Sequence, residues 1–201
     1  MDFRFCDDLG DNGFSWIAKE SMARTSHVLA SDERVWLVDP VDWPEAVDRA
    51  VTLGRPAGVL QLLDRHKRDG AAIADRLGVP HLVVPDVLPG TPFEVIPVKA
   101  ARYWRECALW WPEQRTLVVP EALGTSAFFS IGDDPVGVHG LLKLTPPRGL
   151  GTYDPEHLLV GHGEGLHGRE AMTGISSALS RSRLTVFGWG VTLPLRILRS
   201  R

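Results

Sequence analysis

Three stretches of this chain concentrate the residue types that do chemistry. The run Asp64-Arg65-His66-Lys67-Arg68-Asp69 packs one imidazole, two carboxylates and three cations into consecutive positions, Glu121 follows the apolar run Thr116-Leu117-Val118-Val119-Pro120, and His162 stands between two glycines after Leu158-Leu159-Val160. Imidazole nitrogens and carboxylate oxygens that converge can hold a divalent ion and so ease the ionisation of water near neutral pH. His66 beside Asp64 also reads as a base and its orienting partner, although the sequence places no nucleophile next to them. Arg65, Lys67 and Arg68 suit a third chemistry: turned inward they would bind an anion, turned outward they are a solvated face.

The elements that must position these residues follow from periodicity. Runs at Phe3 to Cys6, Phe14 to Ala18, His27 to Ala30 and Arg34 to Val38 are separated by polar turns and predict a β-meander. From Pro44 the spacing of Ala46, Val47, Ala50, Val51 and Leu53 becomes helical, with Asp42 as the expected cap and Gly54 as the stop. A buried strand at Gly58 to Leu63, a helix around Ala71 to Leu77 and a strand at His81 to Val84 continue the alternation, which implies parallel pairing with crossover helices. Further strands are expected near Phe93 to Val98, at Trp104 to Trp111, at Thr116 to Val119 and at Leu158 to Val160. Pro112-Glu113-Gln114-Arg115 reads as a hairpin turn, Gly132 to Gly151 as a long irregular connection, and Gly168 to Ser182 as a helix.

Four stretches, in this order, resemble the metallo-β-lactamase superfamily. Arg34 to Pro40 resembles its early strand ending in Asp and a turn. Val59 to Asp69, with the helix and Gly78-Val79-Pro80 behind it, resembles the strand, loop and helix that carry the His-x-His-x-Asp-His motif. Arg115 to Leu123 is similar to the strand that presents a metal-bridging Asp, and His157 to Gly163 to the late strand with its Gly-His-Gly. Together these span most of Arg34 to Ser182. The resemblance implies one α/β domain over residues 1–201, an αββα sandwich of two mixed β-sheets flanked by helices, and metal-dependent hydrolysis at the strand ends.

The ligand positions implied by the resemblance are largely substituted. Aligned on Arg68-Asp69, the motif keeps Asp69 but sets Arg65, Lys67 and Gly70 where imidazoles belong; one unit charge about 4 Å from a divalent ion costs several kcal/mol at an effective dielectric of about 20, and neither cation donates a lone pair. Shifted by one, Asp64, His66 and Asp69 form an altered set, with Arg68 in the Asp slot. Between Val98 and Trp110 only Glu106 could replace the family's next His. Glu121 replaces the bridging Asp, and His162 matches its slot by type.

Each candidate also has a plainer reading. Asp69 reads as a side-chain cap for the helix of residues 71–77, Asp39 as a strand-end turn carboxylate, and His162 as a turn histidine on a backbone carbonyl. Tyr103, Trp104, Trp110 and Trp111 could line a pocket or fill a core, and His139 and His167 read as surface or loop histidines.

A length of 201 residues with 44% hydrophobic and 23% charged residues describes a globular chain. The formal net charge of -3 lacks the clustered cations that nucleic acid demands. The N-terminus has no export pattern, so the expected compartment is the cytoplasm, and Cys6 and Cys107 read as reduced, buried thiols. The apolar tail, residues 184–201, is too short for a span of about 20 residues; its final arginines suit a membrane surface, and its apolar part suits packing on the core or on a second copy in a homodimer.

Two functions follow as expectations. The first is a domain that has lost most metal ligands, binds no cofactor, and acts as a binding or regulatory protein for a small anion or a protein partner. The second is a hydrolase of an ester, thioester or phosphoester, using zinc or another divalent metal at a rearranged single site drawn from Asp64, His66, Asp69, Glu121 and His162.

Overall fold

The computed structural model describes residues 1–130 and 134–186. Its strands are β1 (Phe3–Asp8), β2 (Gly13–Ala18), β3 (Thr25–Ser31), β4 (Arg34–Val38), β5 (Arg55–Gln61), β6 (His81–Val83), β7 (Glu94–Ala101), β8 (Trp104–Trp111), β9 (Thr116–Val119), β10 (Leu123–Gly124), β11 (Gly137–Val138), β12 (His157–Val160) and β13 (Leu166–His167). The helices are α1 (Pro44–Leu53), α2 (Gly70–Leu77) and α3 (Arg169–Arg181).

One sheet runs β1-β2-β3-β4-β5-β6 and the other β13-β12-β9-β8-β7, with β10 and β11 forming a separate ladder. Both large sheets are mixed. In the first, β1 to β4 pair antiparallel and β4, β5 and β6 pair parallel; in the second, β12 and β9 are parallel and the remaining pairs antiparallel. The parallel pairs require crossovers, and α1 and α2 supply them between β4, β5 and β6.

Alternation along each strand sends side chains to two faces, and the buried residues accordingly fall into three layers. Leu29, Trp36, Val38, Leu60 and Leu62 meet Leu109, Trp111, Val118 and Leu159 between the sheets. Val28, Val35, Leu37 and Val59 face Ala46, Val47 and Ala50 of α1 and Ile73 of α2. On the far side Leu117, Val119, Leu158 and Val160 receive Ala171, Ile175 and Leu179 of α3. This is the αββα sandwich expected from the sequence. Full burial of each large aliphatic side chain contributes about 1.5–3 kcal/mol, so the two central-facing strand sets hold the sheets in fixed register.

Local chemistry departs from expectation at several ends. The α1 N-cap is Trp43 with Pro44 at the first turn; Asp42 instead pairs with Arg76 through two bonds of 2.7 and 2.9 Å. Asp69 occupies the N-cap position of α2 without a capping hydrogen bond, because its Oδ2 accepts from the Asp42 backbone N–H at 2.8 Å. Cys107 is buried but Cys6 is only half-buried. Within the stretch read as irregular lies β11, whose pairing with β10 brings Val138 opposite Leu123. The tail of residues 184–201, expected as a membrane-surface or homodimer contact, lies from residue 187 onward outside the described residues. Among the described residues no helix is long and apolar enough to cross a membrane.

Candidate metal centre

The carboxyl ends of the parallel strands open on one rim of the sandwich. Asp39 follows β4, the 62–69 loop follows β5, Glu121 follows β9 and His162 follows β12. The two sheets are tied there by isolated pairings of Leu63 with Glu106 and of Arg24 with His162.

His162 is brought in by its two glycines. A Cβ on Gly161 would lie 2.1 Å from the Pro120 carbonyl oxygen, and Gly163 has φ +101° with the same space filled by Thr125 Oγ1. Only glycine allows β12 to close so tightly on the loop after β9. The His162 carbonyl then accepts from the N–H groups of Thr125 and Ser126 at 3.0 and 3.1 Å, which fixes the ring's point of departure.

His66 is aimed by the turn before α2. Asp64 N–H donates to the Arg105 carbonyl and His66 N–H to the Leu63 carbonyl, both at 3.0 Å. Asp39 stands at a left-handed φ of +45°, uncommon for a residue with a side chain and frequent at functional sites. Its Oδ1 accepts from Leu62 N–H at 3.1 Å and its Oδ2 meets His66 Nδ1 at 3.1 Å.

Glu121 lies at the centre. Its Oε2 is 3.0 Å from His66 Nε2 and 3.0 Å from His162 Nε2, and its Oε1 is 3.3 Å from His139 Nε2. Its backbone is held by Glu106, whose Oε1 accepts from the N–H groups of Glu121 and Ala122 at 3.1 and 2.7 Å. Glu106 Oε2 accepts from the Trp104 indole at 2.6 Å. Burial pushes the Glu106 carboxyl up to about 7, against the pull of these donors. Glu121 is also buried, yet the hydrogen bonds and charges of His162 and His66 hold it well below the usual carboxylate range.

The hydrogen bonds define which ring nitrogens carry protons. His162 Nδ1 faces the Met22 carbonyl at 2.9 Å, and a carbonyl can only accept, so Nδ1 is the protonated nitrogen. His66 Nδ1 faces the Asp39 carboxylate by the same logic. Neutral rings would therefore aim two Nε2 lone pairs at one anionic oxygen, which is repulsive unless a cation or a pair of protons stands between them. His139 differs: its Nδ1 accepts from Leu141 N–H at 3.2 Å, which leaves Nε2 as the protonated nitrogen, 3.3 Å from Glu121 Oε1.

Protonation of His66 is opposed by burial and by the nearby Arg68 guanidinium, but Asp39 and Glu121 outweigh both and raise its pKa. Asp39 is lowered although burial works the other way, chiefly through His66 and Arg68. Burial lowers His139, with Glu121 opposing.

His66, Glu121 and His162 bring one donor atom each within 4.8 Å of one another. Two neutral imidazoles and one carboxylate make a zinc-type ligand set, and the second nitrogen of each ring is bonded to an acceptor, the pattern that orients metal-bound histidines. The residues present therefore fit a single divalent ion. Of the five expected ligands, Asp64 and Asp69 do not join: Asp64 lies outside this cluster, and the Asp69 side chain is turned to Asp42.

The cations also separate. Arg65 and Lys67 are exposed at the cleft, whereas the Arg68 guanidinium turns inward and donates to the backbone carbonyls of Thr25, Asp39 and Gly161, the last two at 2.8 and 2.9 Å. Arg68 thus clamps three strand ends and has few donors left for an anion. Trp104 packs edge-on against His139 at 4.9 Å; Trp111 is core, Trp110 packs on Tyr153, and Tyr103 is exposed. His139, read from sequence as a loop histidine, is buried beside Glu121, and its only sequence signal was the glycine-rich run that returns the chain to β10. His167 sits at the opposite end of β12, bonded to His157 and Asp7 at 2.9 and 3.3 Å.

Comparison with solved structures agrees with this architecture. A metallo-β-lactamase from Erythrobacter litoralis matches with TM-score 0.60 at 11% identity, covering 93% of this chain and 96% of its own. Another, from Pontibacter korlensis, matches with TM-score 0.61 at 11% identity, covering 89% and 99%. A fragment described as a diflavin flavoprotein from Nostoc matches with TM-score 0.64 at 14% identity, covering 92% and 98%. No family model and no curated protein sequence matches the chain. The chain therefore has the metallo-β-lactamase fold.

Proposed function

We propose that the chain is a hydrolase with a single divalent metal ion held by His66 Nε2, Glu121 and His162 Nε2. The observation that carries this reading is the pair of imidazole nitrogens, each committed at Nδ1 to an acceptor, converging at 3.0 Å on one oxygen of Glu121. When bound, the metal supplies Lewis acidity toward a carbonyl or phosphoryl centre and makes water ionisable near neutral pH. Asp39 keeps the His66 ring in the tautomer that offers Nε2, and the Met22 carbonyl does the same for His162. His139 sets its Nε2 3.3 Å from Glu121 Oε1, on the side away from the two proposed imidazole ligands. The substrate class is an ester, thioester or phosphoester. The test is hydrolysis of aryl esters, thioesters and phosphoesters by protein loaded with zinc, manganese or iron; activity that needs metal and is lost in Glu121→Ala supports the reading, and metal-independent rates contradict it.

A second reading, a metal-free binding or regulatory protein, draws on Arg68 and on protons. Two imidazolium protons complete the same network, and a buried guanidinium beside it disfavours added positive charge. Unchanged melting with and without chelator, together with no metal-dependent rate, favours this reading.

A further inference from the structure

We propose that Arg65 and Lys67 form a subsite that selects substrates carrying an anionic group, a phosphate or a carboxylate, close to the bond to be cleaved. The inference rests on the hydrolase reading above and specifies what enters the cleft.

The cleft holds about 690 Å³. Arg65, His66 and Lys67 line it from one loop, and the exposed Met22 and Leu141 line it from two others. Among the described residues neither Arg65 nor Lys67 has a carboxylate at ion-pair distance, while Arg24 on the same cleft is neutralised by Glu20. Of the two carboxylates lining the cleft, Glu121 is bonded to His66 and His162 with His139 at 3.3 Å, and Asp69 accepts from Asp42. The two cations are therefore the charges left for an incoming group.

Arg65 is more than a surface charge. Its guanidinium carbon lies 4.3 Å over the Trp104 ring, and the indole is anchored through its N–H on the buried Glu106. The cation–π contact holds the guanidinium over the ring while its N–H groups make no side-chain hydrogen bond or ion pair among the described residues, so they can grip a carboxylate or phosphate. The same Glu106 fixes the backbone of Glu121, so one buried carboxyl ties the anion subsite to the metal ligand. An apolar remainder of the substrate would lie against Met22 and Leu141.

The test compares 4-nitrophenyl butyrate, its anionic counterpart mono-4-nitrophenyl succinate, and 4-nitrophenyl phosphate on metal-loaded protein. Binding of the inert anions phenylphosphonate and phenylacetate is measured by calorimetry. The expected result is a preference for the anionic esters whose ratio to the neutral ester falls about tenfold in Arg65→Gln and further in Arg65→Gln/Lys67→Gln, through KM, with phenylphosphonate or phenylacetate binding weakened to match. The inert anion that binds more tightly identifies the group. Equal preference and unchanged ratios overturn the subsite while leaving the hydrolase reading intact. If no ester is cleaved, the hydrolase reading falls; anion binding weakened by the substitutions then still supports the subsite, and binding that is unchanged or undetectable overturns it.

Discussion

Nε2 of His162 stands 3.0 Å from Oε2 of Glu121 while Nδ1 of the same ring faces the Met22 carbonyl. His66 repeats the arrangement from the opposite side with Asp39 in place of the carbonyl. On the proposed reading, both rings present a lone pair to a shared cation.

Asp39→Asn keeps an oxygen for Leu62 N–H but turns an amide N–H toward His66 Nδ1, which favours the wrong tautomer. Metal affinity should fall about 10- to 100-fold, the cost typical of removing a ligand's orienting partner, with little change in secondary structure. Competition with a chromogenic chelator measures it, and unchanged affinity contradicts the role given to Asp39.

Arg68→Met removes the guanidinium from the Thr25, Asp39 and Gly161 carbonyls, of which Gly161 still accepts from Thr25 N–H at 2.9 Å. Several buried acceptors lost together should cost about 3 kcal/mol or more, read as a lower urea midpoint at unchanged slope. Arg68→Lys should rescue little, since an ammonium lacks the planar fork that spans three carbonyls.

Glu106→Leu strips partners from the N–H groups of Glu121, Ala122 and Trp104 at once. Stability should drop by about 3 kcal/mol or more, and metal affinity should drop with it because Glu121 loses its backbone anchor. Glu106→Gln retains one acceptor oxygen and should fall between. Equal metal affinity in all three proteins would sink the link.

The layers of the sandwich were legible because apolar periodicity decides which face each strand buries: Arg34–Val38, Trp104–Trp111 and Thr116–Val119 were bounded correctly from sequence alone. Glu121 and His162 were legible as strand-end groups. The 64–69 loop was not. Two registers fit its residue types, and the choice is made by bonds outside the loop, from Asp64 to Arg105 and from Asp69 to Pro40 and Asp42, which turn His66 in and both aspartates away. Arg68 misled for the same reason, since its partners are carbonyls, which every residue carries and no sequence pattern marks. His139 was missed because its approach to Glu121 depends on the two-residue pairing of β10 and β11.

His27, which lies outside the proposed ligand set, gives a further pH dependence. Burial, against the pull of Asp7, lowers its pKa to about 4 from 6.5, and its Nδ1 meets Ser15 Oγ at 2.8 Å. The folded state keeps the ring neutral where the unfolded chain takes up a proton. Stability is therefore complete above about pH 6.5 and declines as pH falls toward 4, by about 3 kcal/mol in all from this group. Urea titrations across that range should show the decline, and His27→Gln should remove most of it.

The most direct test is calorimetric titration of metal-free protein with zinc at pH 6.5 in buffers of different ionisation enthalpy. One equivalent should bind, with proton release from His66, whose pKa Asp39 and Glu121 raise, and His66→Ala and His162→Ala should each abolish the tight phase. Two equivalents, no binding, or binding that survives both substitutions would contradict a single metal ion held between His66, Glu121 and His162.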